Sequence, residues 1–154
     1  MESVLKKELL FLFNFLVPIF VGSFIYIVFR QKSLLVFTWI SFFNLSNFVD
    51  VLRSSFSEYK TYIPGFILYS LPDGLWVYSG TVLFLKIWKN DQNIISKYFW
   101  ILLPFIVSLL MEFFQLFNLI KGTFCFNDIL FITVLFIIPM FKSLYKNGEI
   151  NEIA

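Results

Sequence analysis

The chain has 154 residues, of which 59% are apolar, 22% aromatic and 14% charged, and its formal net charge is +2. A typical soluble domain carries about 25% charged residues, so this composition excludes an ordinary water-soluble fold and predicts one domain that uses lipid as its solvent. The basic residues are scattered between apolar segments, which excludes a nucleic-acid interface. One cysteine and no histidine exclude an intramolecular disulfide, Cys-rich and two-His metal sites, and Ser-His-Asp or Cys-His catalysis.

The first apolar segment, residues 9–29, contains no charge. At about 1.5 Å per residue, a helix of this length crosses a hydrocarbon core of about 30 Å. It is too long for the core of a signal peptide, and we expect a retained transmembrane helix. Pro18 predicts a kink and Gly22 a close helix contact.

The second segment, residues 34–58, begins apolar and aromatic but is diluted by Asn44 and Asp50. The apolar run itself, residues 34–45, has only 12 residues, a length more typical of interfacial helices, which lie in the headgroup plane, than of spans. Trp39 and Arg53 suit that position. We therefore predict an interfacial segment, with a fifth span over residues 34–52 as the open alternative.

The third apolar block, residues 63–88, is interrupted by Ser70-Leu71-Pro72-Asp73-Gly74. It is either one long kinked helix, or an approach to the membrane followed by a span over residues 72–88. Proline in the first turn favours the second geometry, as does the capping-box spacing of Ser70 and Asp73.

Two further spans are predicted over residues 98–120 and 127–141. A turn containing Gly122 joins them, and this glycine is free to adopt a positive φ. Asn127 or Asp128 is expected to cap the last helix. The predicted fold is therefore all-α: a polytopic transmembrane bundle of four spans plus an interfacial helix.

Four spans place the basic residues in two groups at opposite faces of the membrane. The larger group of seven comprises Lys6, Lys7, Lys86, Lys89, Lys97, Lys142 and Lys146. The other group of five comprises Arg30, Lys32, Arg53, Lys60 and Lys121. The positive-inside rule then predicts that both termini are cytoplasmic.

Three acidic residues, Asp73, Glu112 and Asp128, fall in the same half of the bilayer in this arrangement. Glu112 is predicted roughly 12 Å from the end of its helix, with Gln115 one turn nearer the surface on the same face. A carboxylate at a helix centre costs about 2.5–3.5 kcal/mol on insertion scales, so Glu112 is expected to face the bundle interior. Helix capping accounts equally well for the two aspartates, and an interhelical hydrogen bond accounts for Gln115.

The pattern Glu112-Phe-Phe-Gln115, Lys121-Gly122-Thr123-Phe124 and Asp128 resembles the VanZ-like family of small bacterial membrane proteins, whose mark is Glu-x-x-Gln, a Gly/Arg turn and an Asp opening the next helix. Lys121 stands where an arginine is usual, and the Asn and Gly that commonly follow the Asp are absent. The resemblance implies a multi-pass protein of the bacterial plasma membrane, part of the cell envelope. Some members are linked to glycopeptide antibiotic resistance, and the family has no settled catalytic activity.

The first functional hypothesis is a non-enzymatic envelope protein with an acidic pocket at the outer membrane face. The predicted pocket residues are Asp73, Glu112, Gln115, Lys121 and Asp128, with Arg53 at the rim. The expected ligand is a lipid headgroup, a cell-wall precursor or a partner membrane protein. No catalytic residue, resident metal or cofactor is predicted, and the partners are the bilayer and such ligands rather than nucleic acid.

Two alternatives remain open from the sequence. In a membrane-embedded hydrolase or transferase acting on a lipid-linked substrate, Glu112 would serve as base and an aspartate as acid or metal ligand. A proton or cation pathway is the other, since intramembrane acids mark such paths. The cytoplasmic half of the predicted bundle has no matching acid, which disfavours a complete path.

Overall fold

The computed structural model describes the backbone of residues 2–151 and the side chains of residues 4–144. Within that range the chain forms seven α-helices, one 3-10 turn and no strand, which confirms the predicted all-α fold. The helices are α1 (Glu2–Phe29), α2 (Leu35–Phe42), α3 (Ser46–Phe56), α4 (Gly65–Tyr69), α5 (Leu71–Ile87), α6 (Ile94–Leu116) and α7 (Phe126–Asn151). The 3-10 turn, Glu58–Thr61, lies between α3 and α4.

Three helical segments are long and apolar enough to cross a membrane: Val4–Phe29, Ile94–Leu116 and Phe126–Leu144. They belong to α1, α6 and α7. The predicted span over residues 72–88 corresponds to α5, which has 17 residues and is not among these three segments. Three of the four predicted spans thus correspond to helices that are able to cross a membrane by length and composition, and the count of four stays a prediction.

Residues 34–58 form two short helices instead of one. The longer, α3, has 11 residues, or about 16 Å at 1.5 Å per residue, against a hydrocarbon core of about 30 Å. Neither helix has the length of the alternative fifth span. A left-handed Asn44 with φ of 56° ends α2, and the Asn44 and Leu45 amides bond back to Ser41 and Ile40 at 3.1 and 3.0 Å in a Schellman motif.

The break inside the third apolar block lies at Ser70, between α4 and α5. The chain therefore adopts the favoured geometry, with a separate helix before Pro72. The predicted capping box is wrong, because the Ser70 side chain makes no capping hydrogen bond to α5. The Asp73 carboxylate pairs with Arg30 instead.

The helix α6 ends at Leu116 rather than at the predicted residue 120. Asn118 is left-handed, with φ of 58°, and the amides of Asn118 and Leu119 bond to Gln115 and Phe114 at 3.0 and 2.8 Å, forming a second Schellman motif. Glu112 therefore lies one turn from the helix end, about 6 Å instead of the expected 12 Å.

The last helix begins earlier than predicted. Because α7 starts at Phe126, Asn127 and Asp128 lie inside its first turn, and the prediction that one of them is the N-cap is wrong. The Asp128 amide donates to the Cys125 carbonyl at 3.0 Å.

The helix α5 lies at the centre of the bundle, and glycines allow its three long neighbours to approach. A Cβ added to Gly74 would lie 2.6 Å from Leu135 Cδ1 on α7, and one added to Gly80 would lie 3.0 Å from Pro104 Cγ on α6. On α1, a Cβ at Gly22 would lie 3.2 Å from a backbone oxygen of α5. The expected close contact at Gly22 is therefore made with α5.

Contacts at both ends fix the directions of these helices. Ion pairs join Glu8 to Lys86 at one end and Arg30 to Asp73 at the other, so α1 and α5 are antiparallel. Stacking of Trp88 on Trp100 joins the end of α5 to the beginning of α6. We call the end where α5 and α7 begin and α1 and α6 end the site end.

Candidate carboxylate site

Three carboxylates from three different helices converge at the site end. Asp73 is in the first turn of α5, Asp128 in the first turn of α7, and Glu112 one turn before the end of α6. One carboxylate oxygen of each lies within 4.8 Å of the others. The amino-terminal dipoles of α5 and α7 favour negative charge at this place. We call these three residues the carboxylate cluster.

Two members of the cluster are buried. Glu112 is 4% exposed and Asp128 is 3% exposed, while the Asp73 side chain is 20% exposed. Within the described chain, Glu112 Oε2 and Asp128 Oδ1 are buried without a hydrogen-bond partner. A buried, unsatisfied charged oxygen is unfavourable, so these atoms require a proton, a water molecule, a ligand or a cation.

Arg30 is the cation of the site. Its Nη2 lies 2.8 Å from Asp73 Oδ2 and donates a second bond of 2.8 Å to the Tyr69 carbonyl. The guanidinium also lies over the rings of Tyr26 and Tyr69, at 5.2 and 5.7 Å from their centroids. It thereby holds together the end of α1, the end of α4 and the beginning of α5.

Sequence patterning alone identifies Arg30 only as the end of the first span. A signal for its role is present, because the predicted topology places Arg30 and Asp73 on the same face of the membrane. The two residues are 43 positions apart, and helical periodicity does not report pairing between separate helices.

Small polar groups complete the surroundings of the two buried acids. The Ser70 side chain, which is 1% exposed, lies beside Asp128. The backbone of Cys125 lies beside Glu112. The helix break at Ser70 and the turn before α7 therefore supply polar neighbours to the two buried carboxylates.

The other predicted pocket residues have different surroundings. Gln115 is half-buried and packs on the turn between α6 and α7, where a Cβ on Gly122 would lie 2.6 Å from its Oε1. Gly122 has a φ of 150°, which confirms the expected positive φ. Lys121 is exposed and makes no ion pair with the cluster in the described chain.

Arg53 does not contact the cluster and serves a different part of the fold. It donates to the Ile27 carbonyl at 2.6 Å and lies over the Phe37 ring. These contacts fasten α2 and α3 to the end of α1. Arg30 therefore occupies the place beside the acids that the sequence predicts for Lys121 and Arg53.

The carboxylate cluster concentrates negative charge at the site end. Three carboxylates and one guanidinium carry a net charge of −2 when all are ionised, and like charges at this separation repel strongly in a low dielectric. The chain has no histidine to act as a base. No protein-family model, curated protein or solved structure matches the chain, so a functional assignment depends on the geometry of the cluster.

Proposed function

We propose that the chain is a four-span membrane protein without enzymatic activity, which binds a ligand through the carboxylate cluster at one membrane face. The observation that carries the proposal is the convergence of Asp73, Glu112 and Asp128, two of them buried with unpartnered oxygens. Ionisable groups inside membrane bundles are costly, and a functional role is the usual reason for them.

The central position of α5 supports its assignment as the fourth span. Its 17 residues lie at the lower limit of spanning helices, which is about 17–25 residues. Neighbouring helices cover α5 on three sides, so it needs less apolar surface than a helix that faces lipid. Its buried residues include Ser79 and Thr81, side chains that suit helix contacts in membranes.

The two short helices α2 and α3 are assigned to the membrane interface. They expose Phe42, Phe43 and Phe48 at 81%, 68% and 67%, a surface that needs lipid or headgroup contact. Lys32 and Asp50 form an exposed ion pair beside them, as expected at the polar boundary. This assignment places the adjoining carboxylate cluster near the same boundary.

The positive-inside bias supports a topology with cytoplasmic termini and the site end at the outer face. Lys86, Lys89 and Lys97 lie at the opposite end of the bundle, around a cavity of about 440 Å³. The membrane is proposed to be the bacterial plasma membrane, on the resemblance of Glu112-Phe-Phe-Gln115 and Asp128 to the VanZ-like family.

The proposed ligand is a lipid headgroup or a lipid-linked cell-wall precursor that carries both signs of charge. Glu112 and Asp128 would bind its cationic group and Arg30 its phosphate, since guanidinium is suited to phosphate. The Arg30 and Asp73 side chains are each 20% exposed, and this is where the ligand would enter. The third proposed ligand, besides the headgroup and the precursor, is a partner membrane protein that presents a cationic and an anionic group to the same residues.

Lipid retention tests the proposal. Purified protein in nanodiscs containing phosphatidylethanolamine, a polyprenyl-diphosphate-linked amino sugar and, as the lipid without a cationic group, phosphatidylglycerol is analysed by native mass spectrometry. We expect one of the two lipids that carry both charges, and not phosphatidylglycerol, to be retained by the wild type and lost from Glu112→Gln and Asp128→Asn. Glu58→Gln is the matched control, because Glu58 is an exposed acid outside the cluster. Equal retention by all four proteins would refute the proposal.

A carboxylate-based hydrolase or transferase is the second candidate function. The observation in its favour is that the three acids have the spacing of metal ligands, as in sites that activate water for attack on phosphate esters. Incubating the protein with the polyprenyl-diphosphate-linked sugar tests it, with release of the sugar phosphate, the product of water attack on the diphosphate bond, as the measurement. Release that Glu112→Gln abolishes would establish the enzyme, and no release above empty nanodiscs would remove it.

A further inference from the structure

The carboxylate cluster has the donor set and dimensions of a coordination site for one cation. Its three oxygens lie within 4.8 Å of one another. Oxygen ligands bind Mg²⁺ at about 2.0–2.1 Å and Ca²⁺ at about 2.3–2.6 Å, so two ligands of one ion stand up to about 4–5 Å apart. The cluster therefore fits around a single ion with at most small rotations of the side chains.

The unpartnered oxygens of the carboxylate cluster are an independent observation in favour of a bound ion. Glu112 and Asp128 are both more than nine-tenths buried. Even so, Glu112 Oε2 and Asp128 Oδ1 accept no hydrogen bond from any described residue. Buried carboxylates in proteins are usually satisfied by donors, by paired cations or by metals. Ser70 and Cys125 serve only part of this need.

The charge at the site also favours a divalent ion. Arg30 forms its ion pair with Asp73 Oδ2, so one of the three negative charges is balanced inside the protein. Two remain when Glu112 and Asp128 are ionised. A divalent cation balances both, and the net charge of the occupied site is then zero.

We propose that Asp73, Glu112 and Asp128 bind one hard divalent cation of the Mg²⁺, Mn²⁺ and Ca²⁺ class. The donors are oxygen atoms alone, which selects these ions over Zn²⁺ or Cu²⁺, whose protein sites favour nitrogen or sulfur ligands. The inference rests on the proposed function, because it names what the same site holds. The bound ion would occupy the place that the proposed function gives to the ligand's cationic group, and would contact, together with Arg30, the phosphate of an incoming headgroup.

Manganese serves as the probe because its binding is read directly. The full chain, purified in detergent and stripped with a chelator, is titrated with Mn²⁺ while electron paramagnetic resonance measures the free ion. We expect one saturable site per chain, with Mg²⁺ and Ca²⁺ as competitors. Whichever of Mg²⁺ and Ca²⁺ displaces Mn²⁺ at the lower concentration is the ion for which the site has the higher affinity.

Variants locate the site. Glu112→Gln and Asp128→Asn are expected to weaken Mn²⁺ binding at least tenfold, while Glu58→Gln binds like the wild type. A second readout is the thermal midpoint, which Mn²⁺ raises in the wild type and leaves unchanged in the two cluster variants. If either of these near-isosteric variants fails to fold, Glu112→Asp replaces it in the test, because it keeps the charge and shortens the side chain. We then expect a folded protein with weaker Mn²⁺ binding.

Each outcome separates this inference from the proposed function. The absence of a saturable Mn²⁺ site, or equal binding by wild type and cluster variants, overturns the cation site. Lipid retention that persists in excess chelator would then leave the headgroup-binding proposal standing. Conversely, Mn²⁺ binding without lipid retention would keep the cation site and refute the headgroup.

Discussion

Arg30 and Asp73 form a 2.8 Å ion pair that joins the end of α1 to the beginning of α5 beside two buried acids. The guanidinium also donates to the Tyr69 carbonyl at 2.8 Å, so one side chain connects three helices. The pair is one-fifth exposed, which places it between a surface bridge and a fully buried one. Its loss should therefore affect both stability and the charge of the carboxylate cluster.

Removing the Arg30 charge should destabilise the fold. Arg30→Gln leaves Asp73 without its partner and the Tyr69 carbonyl without a charged donor, at an expected cost of about 1–3 kcal/mol. Thermal unfolding in detergent of Arg30→Gln, Asp73→Asn and the double variant measures the coupling. Full additivity would show that the pair contributes nothing to stability.

The contact between α5 and α7 should not tolerate a methyl group. In Gly74→Ala the new Cβ would lie 2.6 Å from Leu135 Cδ1 and 2.9 Å from the Phe131 carbonyl oxygen, and the backbone atom cannot move cheaply. We expect a loss of about 1–3 kcal/mol, measured by thermal unfolding. Gly65→Ala is the control, because the nearest neighbour of its new Cβ, the Tyr69 ring, is 3.8 Å away and no loss is expected.

The turn between α6 and α7 should depend on Gly122. Its φ of 150° disfavours any side chain, at a cost of about 1–3 kcal/mol, and a Cβ would displace Gln115. Gly122→Ala is expected to lower the thermal midpoint and to increase proteolysis of the turn. Asn118→Gly, which keeps the left-handed conformation at φ of 58° accessible, should leave the turn intact. Equal proteolysis of the two variants would contradict this account.

Glu112 should be a residue that function requires and stability does not. Glu112→Gln removes a buried charge while keeping the side-chain shape, so without divalent cation we expect an unchanged or higher thermal midpoint. A lower midpoint for Glu112→Gln in chelator would show that the carboxylate itself makes a stabilising contact.

The fourth span can be tested with single-cysteine variants. Cys125, half-buried in the turn before α7, is the only cysteine of the chain, so Cys125→Ser provides a background for Tyr62→Cys before α5 and Asn90→Cys after it. Tyr62 is 84% exposed. If α5 crosses the membrane, an impermeant maleimide labels the Tyr62→Cys variant from outside intact cells and the Asn90→Cys variant only after permeabilisation. Labelling of both variants from one side would show that α5 does not cross.

The sequence predicts the long helices well because apolar runs and charged flanks report directly on membrane crossing. It also predicts the break before Pro72, where proline chemistry is local. The predicted end of α6 is too late, because the apolar run continues to Ile120 and composition does not register a left-handed Asn118. The end of α6 is determined by the backbone conformation of one residue, Asn118, which the composition of the segment does not reveal.

The site shows the same division between local and long-range information. Asp73, Glu112 and Asp128 stand out in the sequence because carboxylates are rare in apolar helices. Arg30 does not stand out, since a basic residue after a span is ordinarily a membrane anchor. Lys121 is predicted by its position in a motif, whereas its side chain is exposed. Pairing between distant helices depends on packing that periodicity alone does not determine.

The central helix also limits how the protein can respond to a ligand. Sliding α5 by one turn along both α1 and α7 would break the contacts of Glu8 and Arg30 together, and would bring a bulkier residue to the place where Gly74 packs on α7. These contacts thus favour a single register of α5 against its neighbours. Adaptation at the acids must come from rotation of side chains, so recognition should be fast, local and without rearrangement of the spans.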